Sequence, residues 1–290
     1  MSEAVTYRFE ALQTQRDALD RYVALLSSVY PQDQKFTHDY LDWLYAKNPL
    51  GTARGFDAFV GEQCVAHYAC IPVDLRLQGR LARGLLSLNT ATSSEHRGRG
   101  LFPKLARFTF EHAKREGFEF VYGVANAASF PIFSGALGFQ SLGPLLARLS
   151  VGSEPLAWHK VHESAQLVRH WEQNQLTWRL RSPANGLFIV KVDPYLQIRS
   201  KRPADWCQAY APYPLDAEGI SNGPRDGAGS ALGLFLGRVP STIAFQALGV
   251  DIPMRFRPSP LQLIFLSFTL NGSFIDPSQV GLSFIDFDAY

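Results

Sequence analysis

At 290 residues, 46% hydrophobic and 19% charged, the chain has an ordinary globular composition and enough length for two moderate domains whose cores need no staples. A net charge of +2 argues against nucleic acid as a partner, and three sparse cysteines (Cys64, Cys70, Cys207) without a Cys-x-x-Cys pair argue for a reducing compartment and against a zinc site, so no metal is expected. The start Met-Ser-Glu-Ala-Val-Thr-Tyr lacks the texture of a signal peptide, and no run of about 18 uncharged apolar residues occurs, which predicts a soluble, cytoplasmic protein without a membrane span.

Residues 10–30 alternate polar and apolar at helical spacing, with Leu19, Tyr22, Val23 and Leu26 on one side. Thr37 is an N-cap for a second helix carrying Tyr40, Leu41, Trp43 and Leu44, which stops at Asn48-Pro49 because a residue before proline disfavours helix. Strands follow at Phe56–Val60, at Cys64–Leu77 with an interruption at Pro72, and at Leu85–Thr92. The turns Gly61-Glu62 and Gln78-Gly79 join them into an antiparallel meander. Residues 101–116 place Lys104, Arg107, Glu111, Lys114 and Arg115 on one helical stripe, with Pro103 in the first turn and Gly117 just past the end. Phe118–Val124 reads as the next strand, so strand, helix and strand form a parallel crossover. A short helix over 129–137 ends at Leu137-Gly138-Phe139.

In the second half, 160–173 reads as helix, Leu187–Val192 and Leu232–Leu236 as strands, 211–231 as a long loop, 261–270 as an apolar segment, and 284–290 as an edge strand. Asp42-Trp43-Leu44-Tyr45-Ala46-Lys47-Asn48-Pro49 resembles Thr177-Trp178-Arg179-Leu180-Arg181-Ser182-Pro183, and each precedes a glycine and a strand-like run. Two related halves, the second degenerate, would give this echo. Two unrelated tryptophan-bearing helix ends would give it as well.

The chemistry concentrates in Thr92-Ser93-Ser94-Glu95-His96-Arg97-Gly98-Arg99-Gly100-Leu101-Phe102-Pro103, where a strand ends and a helix begins. Backbone N–H groups at a helix start lack internal partners and carry partial positive charge, and glycines allow close approach, so the segment suits a phosphate or diphosphate. A P-loop would need Gly-Lys-Ser/Thr at its end, and a dinucleotide fingerprint would need glycine where Pro103 stands.

With Arg97-Gly98-Arg99-Gly100 at its centre, and with Asn126 and Leu137-Gly138-Phe139 at matching distances, the stretch 84–139 resembles the GNAT acyltransferase family. The resemblance implies an α/β (α+β) fold with a GNAT-type mixed sheet, an antiparallel meander and a parallel crossover. It implies a GNAT acyl-CoA binding domain over 1–150, leaving 151–290 as a second, degenerate GNAT-like domain that shapes the acceptor site. Acetyl-CoA or another acyl-CoA is the implied co-substrate, held by Thr92, Ser93, Arg97, Gly98, Arg99, Gly100, Leu101, Phe102 and Asn126. The backbone of Thr92 and Ser93 would meet the pantetheine amides. Two positions depart from the family: Phe102 stands where a small residue is usual, and Ser134 stands where many relatives carry a tyrosine acid.

The implied reaction moves an acetyl or other acyl group to the amine of a small molecule, such as an amino sugar. Asn89, Glu95 and Ser134 are the catalytic candidates: Asn89 to hold substrate or water, Glu95 as a base and Ser134 at the acid position. His67 reads more readily as a satisfied strand histidine, His96 as a surface residue, and Glu95 also as a carboxylate paired with Arg97 or Arg99. Two other functions fit the same residues: a non-catalytic acyl-CoA binding module, and a Fem-type tandem GNAT transferase, against which the Arg-x-x-Gly pattern speaks.

Overall fold

Turn chemistry and strand alternation build the first part of the sheet. The computed structural model describes residues 5–152, 158–192, 195–214, 230–245, 247–257, 261–269 and 274–288. In it β1 (Arg8–Ala11) pairs antiparallel with β2 (Arg54–Val60), which pairs with β3 (Gln63–Leu77), which pairs with β4 (Arg80–Thr92). β1 was not legible in the sequence, since four residues are too few to show a period. β3 runs straight through Pro72, contrary to the expected interruption. The proline lies where β2 has ended (opposite Cys70) and β8 (Leu167–Arg169) has not yet begun (opposite Leu75), so on that side the strand lacks a partner that would need its N–H.

Helix α1 (Arg16–Val29) buries Leu19, Tyr22 and Leu26, as the periodicity predicts. Helix α2 (His38–Leu41) is capped by the Thr37 hydroxyl, which accepts from the Tyr40 N–H at 3.2 Å. It widens into a π-type turn over Asp42–Ala46, closed by the Lys47 N–H donating to the Asp42 carbonyl. Helix α3 (Leu101–Arg115) then returns the chain to β5 (Phe120–Ala125), parallel to β4. α3 packs on one sheet face through Leu101, Leu105, Ala106 and Phe110, while α1, α2 and the turn after it pack on the other.

The remaining elements are β6 (Gln140–Pro144), β7 (Leu146–Val151), α4 (Trp158–Ser164), β8, α5 (Gln173–Leu180), β9 (Leu187–Val192), β10 (Tyr195–Ala204), β11 (Cys207–Pro212), β12 (Leu232–Arg238), β13 (Gly249–Asp251), β14 (Gln262–Ser267) and β15 (Val280–Ser283). Among the described residues all fifteen strands join one mixed sheet, running β6-β14-β5-β4-β3-β8-β15-β12-β11-β10-β9 along its main path. The chain thus has a mixed α/β fold containing the expected meander and parallel crossover. After α5, β9, β10 and β11 form another antiparallel meander, and β11 is parallel to β12. The order helix, meander, parallel strand occurs in both halves.

Two further expectations need correction. The helix read over 160–173 stops at Ser164, and Leu167–Arg169 is a strand between β3 and β15. Its buried Leu167 and Val168 pair with distant strands, and that pairing outweighs local helical spacing. The apolar segment read over 261–270, for which no element was expected, supplies β14, inserted between β5 and β6, and its residue 270 lies outside the described residues. The terminal segment is not an edge strand: Phe284–Asp286 forms a 3-10 turn with a capping box, and Phe287 is buried, while 289–290 lie outside the described residues. Most of the loop read over 211–231 also lies outside them. No helix among the described residues is long and apolar enough to cross a membrane.

Candidate active site

β4 and β5 stay paired only from Leu85–Ser87 against Val121–Gly123, then diverge. Beyond that point the β4 edge facing away from β3 has lost its strand neighbour. Two of its carbonyls are held by side chains instead: Thr90 accepts from the Tyr30 hydroxyl at 2.5 Å, and Thr92 accepts from Arg97 Nε at 3.3 Å. The Ser93 N–H belongs to the other edge and donates to the Val65 carbonyl.

The segment leaving β4 forms a 3-10 turn, Ser94–His96, and then the glycine pair. Gly98 (φ +72°) and Gly100 (φ +70°) both adopt left-handed backbone, open to glycine at little cost. Among the described residues, chain neighbours aside, nothing lies within 4 Å of a Cβ built on either, so glycine serves conformation and leaves the backbone open to approach. The N–H groups of Gly98, Arg99, Gly100, Leu101 and Phe102 have no acceptor among the described residues, and the first donor within the helix is Lys104, to the Gly100 carbonyl. Pro103 has no N–H, so the open donors end at Phe102. At the positive end of a helix fifteen residues long, such open amides suit an anion.

Phe102, where the resemblance expects a small residue, packs its side chain against the core beneath α3. Its ring packs edge-on against Phe133 (centroids 5.1 Å apart) and against Tyr68, so its amide remains open. Arg99 is exposed and without a partner among the described residues, and the expected pairing of Glu95 with Arg97 or Arg99 is absent there. Asn126 caps the turn that follows β5: its Oδ1 accepts from the Ala128 and Ser129 N–H groups. Ser134, on the π-type turn Ile132–Ala136, donates its hydroxyl proton to the Phe130 carbonyl at 2.9 Å. His96 is half-buried beside Tyr7, whose hydroxyl lies 2.9 Å from its Nδ1.

Asn89 occupies a β-bulge. Tyr68 opposes Thr90 and Ala69 opposes Leu88, so Asn89 is the extra residue, at φ +43°. It lies two residues beyond the last β4–β5 pair. Its Nδ2 donates to the Tyr45 hydroxyl at 3.0 Å, and Tyr45 meets His67 Nε2 at 2.9 Å. His67 Nδ1 lies 2.6 Å from Asp57 Oδ1, and Asp57 Oδ2 accepts from the Tyr22 hydroxyl at 2.7 Å. His67 is thus a satisfied buried histidine, as its strand position suggests. Tyr45, Asp57 and Tyr22, all at most 1% exposed, have no motif spacing and were not legible as a set. Burial pushes the Tyr45 phenol well above the usual tyrosine range, and it does the same to Tyr22 with help from the Asp57 charge.

Against known proteins, residues 11–140 match the model of the GNAT acetyltransferase domain. No curated protein matches the sequence. Among solved structures, a GCN5-related N-acetyltransferase from Kribbella flavida superposes with a TM-score of 0.57 at 12% identity, covering 91% of this chain and 72% of its own. A Pyrococcus horikoshii protein gives 0.54 at 9% identity over 95% of this chain and 94% of its own. Saccharomyces cerevisiae N-myristoyltransferase with bound myristoyl-CoA gives 0.50 at 9% identity, over 73% of this chain and 66% of its own. At such identities these neighbours share the fold. The family match is to residues 11–140, which thus carry a GNAT acetyltransferase domain, and the open amides at the start of α3 lie within it.

Proposed function

We propose that the protein is an N-acyltransferase that moves an acetyl or other acyl group from coenzyme A to the primary amine of a small molecule, an amino sugar being the first acceptor to test. The observation that carries the reading is the row of open amides from Gly98 to Phe102, set where β4 and β5 part. These amides would hold the diphosphate, with Arg97 and Arg99 adding charge, while the parted strands give the pantetheine arm a route towards Asn89. The β4 edge that would receive its amides already has two carbonyls engaged, by Tyr30 and Arg97, so either side chain would release its carbonyl on binding. Residues 151–290 would shape the acceptor side.

In the reaction the amine nitrogen attacks the thioester carbonyl carbon, the C–N bond forms and the C–S bond breaks. An alkylammonium with a pKa of about 10 must first lose a proton to a base or a water chain, whereas a sugar amine needs less help. Glu95, exposed on the 3-10 turn beside the cradle, is the candidate base. Native mass spectrometry of the purified protein would carry bound coenzyme A, and acetyl-CoA would release free thiol when a panel of amines is supplied. Failure to bind acyl-CoA would refute the proposal.

A second reading is kept by Ser134, whose proton is committed to a backbone carbonyl so that this position offers no acid for the leaving thiolate. A non-catalytic acyl-CoA binding module would bind the thioester and release no thiol with any amine.

A further inference from the structure

The buried polar groups around Asn89 form a chain in which each hydroxyl or ring nitrogen has one role left to it. The Tyr22 oxygen accepts from the Gln13 N–H at 3.1 Å, so its single proton goes to Asp57 Oδ2. The other Asp57 oxygen faces His67 Nδ1 at 2.6 Å, and a carboxylate there requires a proton on that nitrogen. With its single proton on Nδ1, His67 presents a bare Nε2, to which Tyr45 donates. With its proton spent, the Tyr45 oxygen only accepts, and the side of Asn89 turned towards it is the NH₂ group. The remaining end of Asn89, the Oδ1 carbonyl, accepts from no group among the described residues.

Place matters as much as polarity. Tyr45, His67, Asp57 and Tyr22 are at most 1% exposed, while Asn89 is only partly buried. Burying four polar groups is costly unless every one is bonded, and here the bonded set ends on one accessible residue. That residue is the unpaired member of a bulge, the device by which strands redirect a side chain. It belongs to the α1/α2 face of the sheet, through Tyr45, whereas the amide cradle belongs to α3 on the opposite face. A thioester arm passing between the parted strands from the cradle would meet Asn89 on the far side.

We propose that Tyr22, Asp57, His67 and Tyr45 are positioning residues that fix the Asn89 amide with its carbonyl oxygen towards the opening, where it accepts an N–H of the attacking amine. This rests on the acyltransferase reading above and adds the group that orients the nucleophile. An acceptor-only contact selects a donor-bearing nucleophile and leaves the nitrogen lone pair free to face the thioester.

The test combines kinetics with a spectroscopic readout. Using acetyl-CoA and glucosamine, or whichever panel amine the wild type turns over, Asn89→Ala raises the amine KM about tenfold, the worth of one hydrogen bond to a charged or polar partner, with acetyl-CoA affinity unchanged. Tyr45→Phe raises the same KM less, and the double variant is no worse than Asn89→Ala alone, because both act through one contact. Asn89→Asp, whose carboxylate offers the acceptor-only Tyr45 oxygen no donor, does not restore the wild-type KM. In the resting protein, ¹⁵N spectra show His67 protonated on Nδ1 and bare on Nε2. Additive KM effects, altered acetyl-CoA affinity in Tyr45→Phe, or a proton on His67 Nε2 would each overturn the positioning proposal while the wild type still turns over. No thiol release by the wild type with any amine would overturn the acyltransferase reading itself, and this proposal with it.

Discussion

The indoles of Trp43 and Trp178 stack with centroids 4.7 Å apart and exchange hydrogen bonds: each ring N–H donates to the other residue's backbone carbonyl at 3.1 Å. Such reciprocity, in which one residue does to its partner what the partner does to it, is the mark of a local two-fold relation. It joins the turn after α2 to α5, the helices that precede the two meanders. Because Tyr45 follows Trp43 by two residues in the same turn, the second half also braces the residue that holds Asn89.

Replacing either indole should therefore be costly. Trp178→Ala should lower stability by about 3–5 kcal/mol in urea unfolding, the range for deleting a buried aromatic ring. Trp43→Phe keeps much of the packing and removes one of two donors to the Trp178 carbonyl, which still accepts from the Arg181 N–H, so about 1 kcal/mol is expected. Combined, the two changes should cost less than their separate effects added together, since they share one contact.

Asp288 ties the last described turn to both helical regions. Its carboxylate accepts from Tyr40 and pairs with Lys35 at 3.3 Å and Arg179 at 3.4 Å, all with nearly buried side chains. Burial pushes this carboxyl up, but Lys35, Arg179 and the Tyr40 proton more than offset it, and the net shift is downward. A carboxyl lowered in the folded state stabilises the protein above its unfolded value and ceases to do so as pH falls through the folded one. Stability should thus drop below about pH 4. Asp288→Asn leaves Lys35 with Asp33 at 3.7 Å and Arg179 with backbone carbonyls alone, so it should cost about 2–3 kcal/mol at pH 7 and make that acid limb shallower, as urea midpoints across pH would show.

Gly100 and Gly117 make a controlled pair at the two ends of α3. Both have left-handed backbone (φ +70° and +81°), and among the described residues, chain neighbours aside, a Cβ on either meets no atom within 4 Å. Alanine at each should cost about 1–2 kcal/mol in thermal or urea unfolding, the price of left-handed backbone for a residue with a Cβ. Only Gly100→Ala places a methyl at the open amides, so it alone should weaken acetyl-CoA binding, by tenfold or more in calorimetry. Equal affinity in the two variants would displace the diphosphate from this cradle.

Arg99 stands exposed beside the same amides without an intramolecular partner among the described residues. Arg99→Ala should leave the melting temperature unchanged, weaken acetyl-CoA binding and flatten its dependence on ionic strength, because one screened charge contact is lost.

Ser134→Ala, by contrast, should hold kcat within about threefold of wild type, since the hydroxyl it removes serves the Phe130 carbonyl. A larger loss in thiol-release assays would return Ser134 to the acid role that its alignment with the family's tyrosine implies.

What the sequence determined by itself was local. Thr37 as a cap, the turns at Gly61-Glu62 and Gln78-Gly79, the stripe of α3 and the glycines at 98 and 100 each depend on residues a few positions apart, where turn chemistry and side-chain period act directly. Tertiary structure alone decided that Gln262–Ser267 slips between β5 and β6, that Leu167–Arg169 becomes a strand against β3, and that Phe287 ends inside the core. It alone also brought together Tyr22, Tyr45, Asp57, His67 and Asn89. Strand pairing and buried hydrogen bonds form between groups far apart in the chain, and their energy depends on which surfaces meet after folding. No period or spacing in the linear text records it.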